Sequence, residues 1–256
     1  MESESMIKTY TTSQIAKIAG VHPNTVRMYE EWGLIQKPIR KPNGYRVFTD
    51  IHLNQFQLAR KALQTEVLQS DLRKRIINAV KLSANYRFDE AIDLLNEYIQ
   101  VAEKEIIHAR EAASISKELF IESSKGGKLY KRNQAAKELG LTIDTIRNWE
   151  MNGLITVRRK ENGYRIYDEN DMNCLRIIRS LRCASYSLSA ILRMMIKLKS
   201  NQMDASNIYN ILNTPDKDES IVSACDKLVI SLQNAIENAS ATKEIIYEIK
   251  ELNNTN

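Results

Sequence analysis

The chain has 256 residues, 27% charged and 43% apolar, with a net charge of +5 at pH 7. This suits two small domains with connecting helices. No apolar stretch approaches the ~20 residues of a membrane span. The opening MESESMIK lacks the apolar core of a secretory signal, so a cytoplasmic chain with no membrane partner is expected.

The sequence says nearly the same thing twice. Tyr10–Asp50 reads YTTSQIAKIAGVHPNTVRMYEEWGLIQKPIRKPNGYRVFTD, and Tyr130–Glu169 reads YKRNQAAKELGLTIDTIRNWEMNGLITVRRKENGYRIYDE. A period of about 120 residues is too long for a solenoid and marks a duplicated domain. In each copy a short amphipathic helix comes first, Ser13–Ala19 or Arg132–Leu139. Ile15, Ala16 and Ala19 form its inner face in one copy; Ala135, Ala136 and Leu139 do so in the other. Gly20 and Gly140 stand where a helix end wants a left-handed residue. A second helix follows, with Pro23 in its first turn or Thr142 as its N-cap. It ends at Gly33 or Gly153. Together these make a helix-turn-helix.

A basic loop comes next, Gln36–Pro42 or Thr156–Glu161. Asn-Gly then turns the chain into the alternating runs Tyr45–Phe48 and Tyr164–Tyr167. Leu34-Ile35, or Leu154-Ile155, is expected to pair with that run as a two-stranded wing. Two helices close each copy. They are expected near Ile51–Leu63 and Leu68–Leu82, or Asn170–Cys183 and Leu188–Lys199.

Between and after the copies run long heptad stripes. The first is Phe88, Ile92, Leu95, Ile99, Ala102, Ile106, Ala109, Ala113, Ser116 and Phe120. The second is Ile221, Cys225, Leu228, Leu232, Ala235, Ala239, Thr242, Ile246 and Ile249. Each predicts a coiled-coil helix of ~50 Å at ~1.5 Å per residue. Two equally long helices in one chain can satisfy each other as an antiparallel pair, with the heads at opposite ends. Ser123–Lys128 reads as a flexible linker. The expected division is 6–85 first head, 86–122 long helix, 123–128 linker, 129–200 second head, 201–217 loop and 218–252 long helix.

Charge follows this division. Residues 6–85 hold 13 basic and 5 acidic groups, and residues 125–200 hold 16 and 7; residues 86–124 and 201–256 hold 4 and 9 each. Basic heads on acidic connectors suit a nucleic-acid binder.

GVHPNTVRMYEEWGLI…NGYRVF and GLTIDTIRNWEMNGLI…NGYRIY resemble the DNA-binding domain of the MerR family of bacterial transcription regulators. The resemblance covers essentially the whole chain, taken twice. It implies a mainly α fold: two winged helix-turn-helix domains, each followed by a long coiled-coil helix, as a single-chain pseudo-dimer. The family's homodimers bind promoters with over-long spacers and distort them so that RNA polymerase engages both elements. The pattern departs from the family in three places. Met28 and Asn148 replace an aromatic. His22-Pro23 and Thr142-Ile143 replace Ser-Pro. No effector domain follows the second long helix.

The expected contacts to double-stranded DNA follow. His22, Asn24 and Thr25, against Thr142, Asp144 and Thr145, face the major groove. Asn can bind adenine bidentately and Asp can accept from cytosine N4, although Asp144 also suits a helix N-terminus. Arg27 and Arg147 contact phosphate or a guanine edge, or pair internally with Glu30, Glu31 or Glu150. Tyr29 and Trp149 pack and brush the backbone. In the wing strand Tyr45 and Arg46, or Tyr164 and Arg165, point to opposite faces. By resemblance Arg46 and Arg165 hold phosphate. Arg40, Lys41, Arg158, Arg159 and Lys160 make a basic loop at the same place in both heads.

No paired carboxylates, nucleophile with base, or phosphate loop appears, so no enzyme and no cofactor is expected. Cys225 falls on the apolar stripe with no second Cys or His nearby in sequence, and reads as a core thiol rather than a metal ligand. The leading reading is a transcription regulator with an asymmetric operator, monomeric rather than homodimeric. The alternatives are an architectural or recombination accessory protein and a drug- or metabolite-sequestering protein whose heads serve only as scaffold.

Overall fold

A strand residue, a capping box and a left-handed glycine open each copy. The structure is a computed structural model describing residues 8–64, 70–121, 127–159, 161, 163–200, 207–215 and 224–254. It divides into two compact units, Met1–Glu103 with Gln233–Asn256, and Lys104–Leu232.

In the first unit β1 (Thr9–Tyr10) leads into α1 (Thr12–Ala19). The Thr11 N–H donates to Gln14 Oε1 at 2.8 Å and the Gln14 N–H to Thr11 Oγ1 at 3.3 Å. This reciprocal cap satisfies two orphan donors and starts the helix one residue earlier than the sequence suggests. Gly20 has φ 64°, as its place after the helix requires. Then comes α2 (Pro23–Glu31), capped by His22 Nδ1, which accepts from the Asn24 N–H at 3.2 Å. It ends in a Schellman turn: the Leu34 N–H donates to Tyr29 O at 2.9 Å and the Gly33 N–H to Glu30 O at 3.0 Å.

That turn overturns the expected wing. Leu34 and Ile35 are sent inward and buried, and neither is in a strand. The basic loop supplies the partner instead. β2 (Ile39–Arg40) pairs antiparallel with β3 (Arg46–Thr49), Ile39 opposite Val47 and Arg40 opposite Arg46. β1 takes the other edge of β3, so the sheet has three strands in the order β1-β3-β2. α3 (Asp50–Ala62) and α4 (Ser70–Ala84) complete the head. Ile15, Ala16, Val26, Ile35, Phe48 and Phe56 form its core. Each large apolar side chain buried there is worth ~1.5–3 kcal/mol. The Tyr10 hydroxyl staples β1 to α3 by donating to Asp50 Oδ1 at 2.6 Å.

The second unit repeats this order. β4 (Tyr130–Lys131), α6 (Arg132–Leu139), α7 (Ile143–Met151), β5 (Arg158–Arg159), β6 (Arg165–Tyr167), α8 (Glu169–Cys183) and α9 (Leu188–Lys199) follow in turn. Here too Leu154 and Ile155 are core residues and β5 is the wing partner, in a sheet ordered β4-β6-β5. Thr142 caps α7 as expected, accepting from the Thr145 N–H at 3.0 Å.

The expected loop 201–217 contains a helix, α10 (Ile208–Asn213). Ile208, Ile211 and Leu212 bury themselves, and the guanidinium of buried Arg193 satisfies the carbonyls that the short helix leaves open. It donates to Ile211 O at 3.0 Å, to Leu212 O at 3.3 Å and to Asp226 O at 3.0 Å.

The long helices are α5 (Phe88–Ile121, 34 residues) and α11 (Leu228–Asn254, 27 residues), so they are not equal in length. A 3-10 turn over Ala224–Lys227 precedes α11 and contains half-buried Cys225. Residues 216–223, where the sequence begins that helix, lie outside the described residues, as does most of the linker. On α5 the stripe slips once: Tyr98 is buried where Ile99 was expected. Within the first unit the two helices run antiparallel. Lys243 Nζ donates to Asn96 Oδ1 at 2.8 Å, and Lys250, two turns on, donates to Asp89, two turns back. Among the described residues no helix is long and apolar enough to cross a membrane.

Candidate nucleic-acid interface

Each second helix buries one face and leaves the other open. Val26 and Ile146 point into their cores, as does Trp149, while Tyr29 is half-buried and stacks on Phe56 with ring centroids 4.6 Å apart. The exposed face of α2 carries Asn24, Arg27 and Met28, and that of α7 carries Asp144, Arg147 and Asn148. His22 and Thr142 are exposed at the helix starts, while Thr25 and Thr145 are half-buried. Arg27 makes no ion pair with Glu30 or Glu31 here; its Nη1 donates to Asn24 Oδ1 at 2.7 Å, across one turn of the exposed face.

The glutamates one turn further along are occupied by the wing. Glu30 is buried and pairs with Arg46, and also with Arg40 at 3.5 Å. The Glu150 side chain is only 4% exposed and pairs with Arg165 at 2.9 Å and Arg132 at 2.6 Å. Tyr167 donates its hydroxyl to the same carboxylate and accepts from Arg132 Nε at 3.2 Å. Burial, with that bond to Glu150, pushes the Tyr167 hydroxyl up to about 12. A buried carboxylate needs such partners, because desolvation without them is prohibitive. The anchors differ between heads. The first takes its second arginine from the wing and the second takes it from α6. Arg159, which stands where Arg40 stands opposite the wing strand, is left exposed.

Alternation along β3 and β6 then sends the preceding tyrosine outward. Tyr45 and Tyr164 are each 71% exposed. In the first head Lys41, Tyr45 and Arg46 line a shallow hollow of about 350 Å³ with Thr11 and Gln14 at the start of α1. Arg158 and Arg159 are exposed on β5, and Lys160 lies outside the described residues.

Residues 10–76, and again 130–213, match the family described as MerR HTH family regulatory protein. The chain belongs to this family. Among curated MerR proteins it is similar to the HTH-type transcriptional regulator CueR of Escherichia coli O6:H1. The identity is 48% over 52 residues, 20% of this chain and 38% of CueR. It is also similar to the HTH-type transcriptional regulator AdhR of Bacillus subtilis strain 168, 43% identical over 60 residues, 23% of this chain and 43% of AdhR. The chain thus spans about two fifths of the length of these relatives. No solved structure is a significant match.

The MerR-type site contains residues that sequence reasoning assigned differently or passed over. Glu30 and Glu150 entered only as rival partners for Arg27 and Arg147, and Arg132 and Tyr167 only as the ends of a helix and a strand. The available signal was that a glutamate recurs at the same place in both copies.

Proposed function

We propose that the chain is a sequence-specific DNA-binding transcription regulator carrying both heads of a MerR-type pair on one polypeptide. It acts in the cytosol as a monomeric pseudo-dimer on double-stranded DNA, and distorts promoter DNA for RNA polymerase. The observation that carries this reading is one arrangement occurring twice with different exposed side chains. Each head has an open recognition face, a glutamate-anchored arginine and a projecting wing tyrosine.

The two faces are not interchangeable. Asn24 favours adenine, whereas Asp144 favours cytosine and repels an edge that shows only acceptors. A wrong base costs ~1–3 kcal/mol, or roughly 5- to 150-fold. The operator is therefore an imperfect inverted repeat, bound in one orientation. Lys41, Arg158 and Arg159, with Tyr45 and Tyr164, hold phosphates in register, assisted by the outward nitrogens of Arg46 and Arg165. Selection of binding sites from a random DNA pool tests this. Two distinguishable half-sites are expected. A perfect palindrome, bound equally well with either half symmetrised, overturns it.

A further inference from the structure

We infer that the first head contains a binding site for an amphipathic organic anion, between the end of α2 and the outer face of α4. A cavity of about 340 Å³ lies there, walled by Trp32, Leu63, Ile76 and Ile77 and flanked by Arg73 and Lys81. That volume falls in the range of small-molecule pockets. Arg73, Ile77 and Lys81 stand four residues apart on one stripe of α4, so two cations bracket an apolar wall. Both are exposed, and neither side chain has a partner among the described residues. Trp32 sits at the C-cap of α2 with 55% of its surface exposed. An indole there offers a flat apolar wall and one N–H donor.

The second head is an internal control. At the matching turn Asn152 replaces Trp32. Leu192 comes within 3.8 Å of a Cβ placed on Gly153, whereas none of the described residues lies within 4 Å of the same position on Gly33. The space is open where the first head has diverged. Its walls are apolar and its rim is cationic. The occupant they fit is a carboxylate or sulfonate on an aromatic or branched apolar body. Such a ligand would brace the end of α2 against α4.

The site is tested on the whole chain without DNA, so its failure is separable from failure of the DNA-binding reading. Anilinonaphthalene sulfonate is the probe and uncharged N-phenyl-naphthylamine the control. Saturable sulfonate emission by energy transfer is expected, and Trp32→Phe should diminish it. Arg73→Gln combined with Lys81→Gln should raise the sulfonate Kd about tenfold and shift the neutral control less than about twofold. Both positions are exposed, so the fold survives, which far-UV circular dichroism verifies. An unchanged sulfonate Kd, or an equal loss for both probes, overturns the proposal.

Discussion

The carboxylate of Glu30, on the recognition helix, holds the guanidinium of Arg46, on the wing strand, and Glu150 holds Arg165 in the same way. Wing and helix are thereby tied together by an ion pair in each head. The pair also spends part of the arginine's donor capacity inside the protein.

Removing one partner of a buried pair leaves an uncompensated charge. Arg46 keeps 19% of its side chain exposed, so Glu30→Gln should cost about 2 kcal/mol, below the ~3–5 kcal/mol of fully buried pairs. A double-mutant cycle with Arg46→Gln in urea should give a coupling of about 1–2 kcal/mol. Simple additivity would show that the two side chains do not act together.

Salt dependence should separate Arg40 from Arg159. Arg40 shares Glu30, whereas Arg159 is exposed on β5. Arg159→Ala should flatten the log–log salt slope of DNA binding by about 0.9, and Arg40→Ala by clearly less. Equal changes would mean that Glu30 does not neutralise its neighbour.

His52 should make the first head acid-sensitive. Burial lowers its pKa below the ordinary 6.5, outweighing the Lys37 carbonyl and Glu30. Its Nδ1 accepts from the Thr49 N–H at 3.1 Å, capping α3. Below about pH 6.5 the unfolded chain takes up a proton that the folded chain refuses, so stability falls as pH drops. His52→Gln should abolish this loss, since Gln14 and Gln134 fill the same capping position in α1 and α6. Urea midpoints at about pH 7.5 and about pH 5.5 decide it; equal acid sensitivity in both proteins would exonerate His52.

One chain should suffice for one operator. Sedimentation of dilute protein should show a 29.4 kDa monomer that binds DNA. A complex requiring two chains and four heads would refute the pseudo-dimer.

Local chemistry made much of this legible in the sequence. Gly20, Gly140, Pro23 and Thr142 act within a few residues of themselves, and their roles follow from backbone sterics and orphan donors. Leu34-Ile35 differs from the expected strand because apolar pairs at a helix end serve a core as readily as a ladder, and only the Schellman turn decides. α10 has 6 residues, too few to show a period. The heptad slip on α5 reflects an aromatic ring, Tyr98, displacing its β-branched neighbour from the seam. In the interface, the exposed faces of α2 and α7 followed from helical spacing. The glutamate anchors did not, because Glu150 meets Arg132 across 18 residues of chain, a distance set by tertiary packing alone.

The first unit is closed by a distant segment. Residues 233–254 of α11 lie along α5 there, and Asn238 donates to the carbonyl of Lys61 at 2.6 Å. On the ribosome, residues 104–232 must all be made before this segment exists. The first head therefore waits through the synthesis of the second with part of its α5 seam uncovered. Nascent chains stalled before residue 233 should expose that seam to chaperones, and premature release there would yield an N-terminal unit lacking its last structural member.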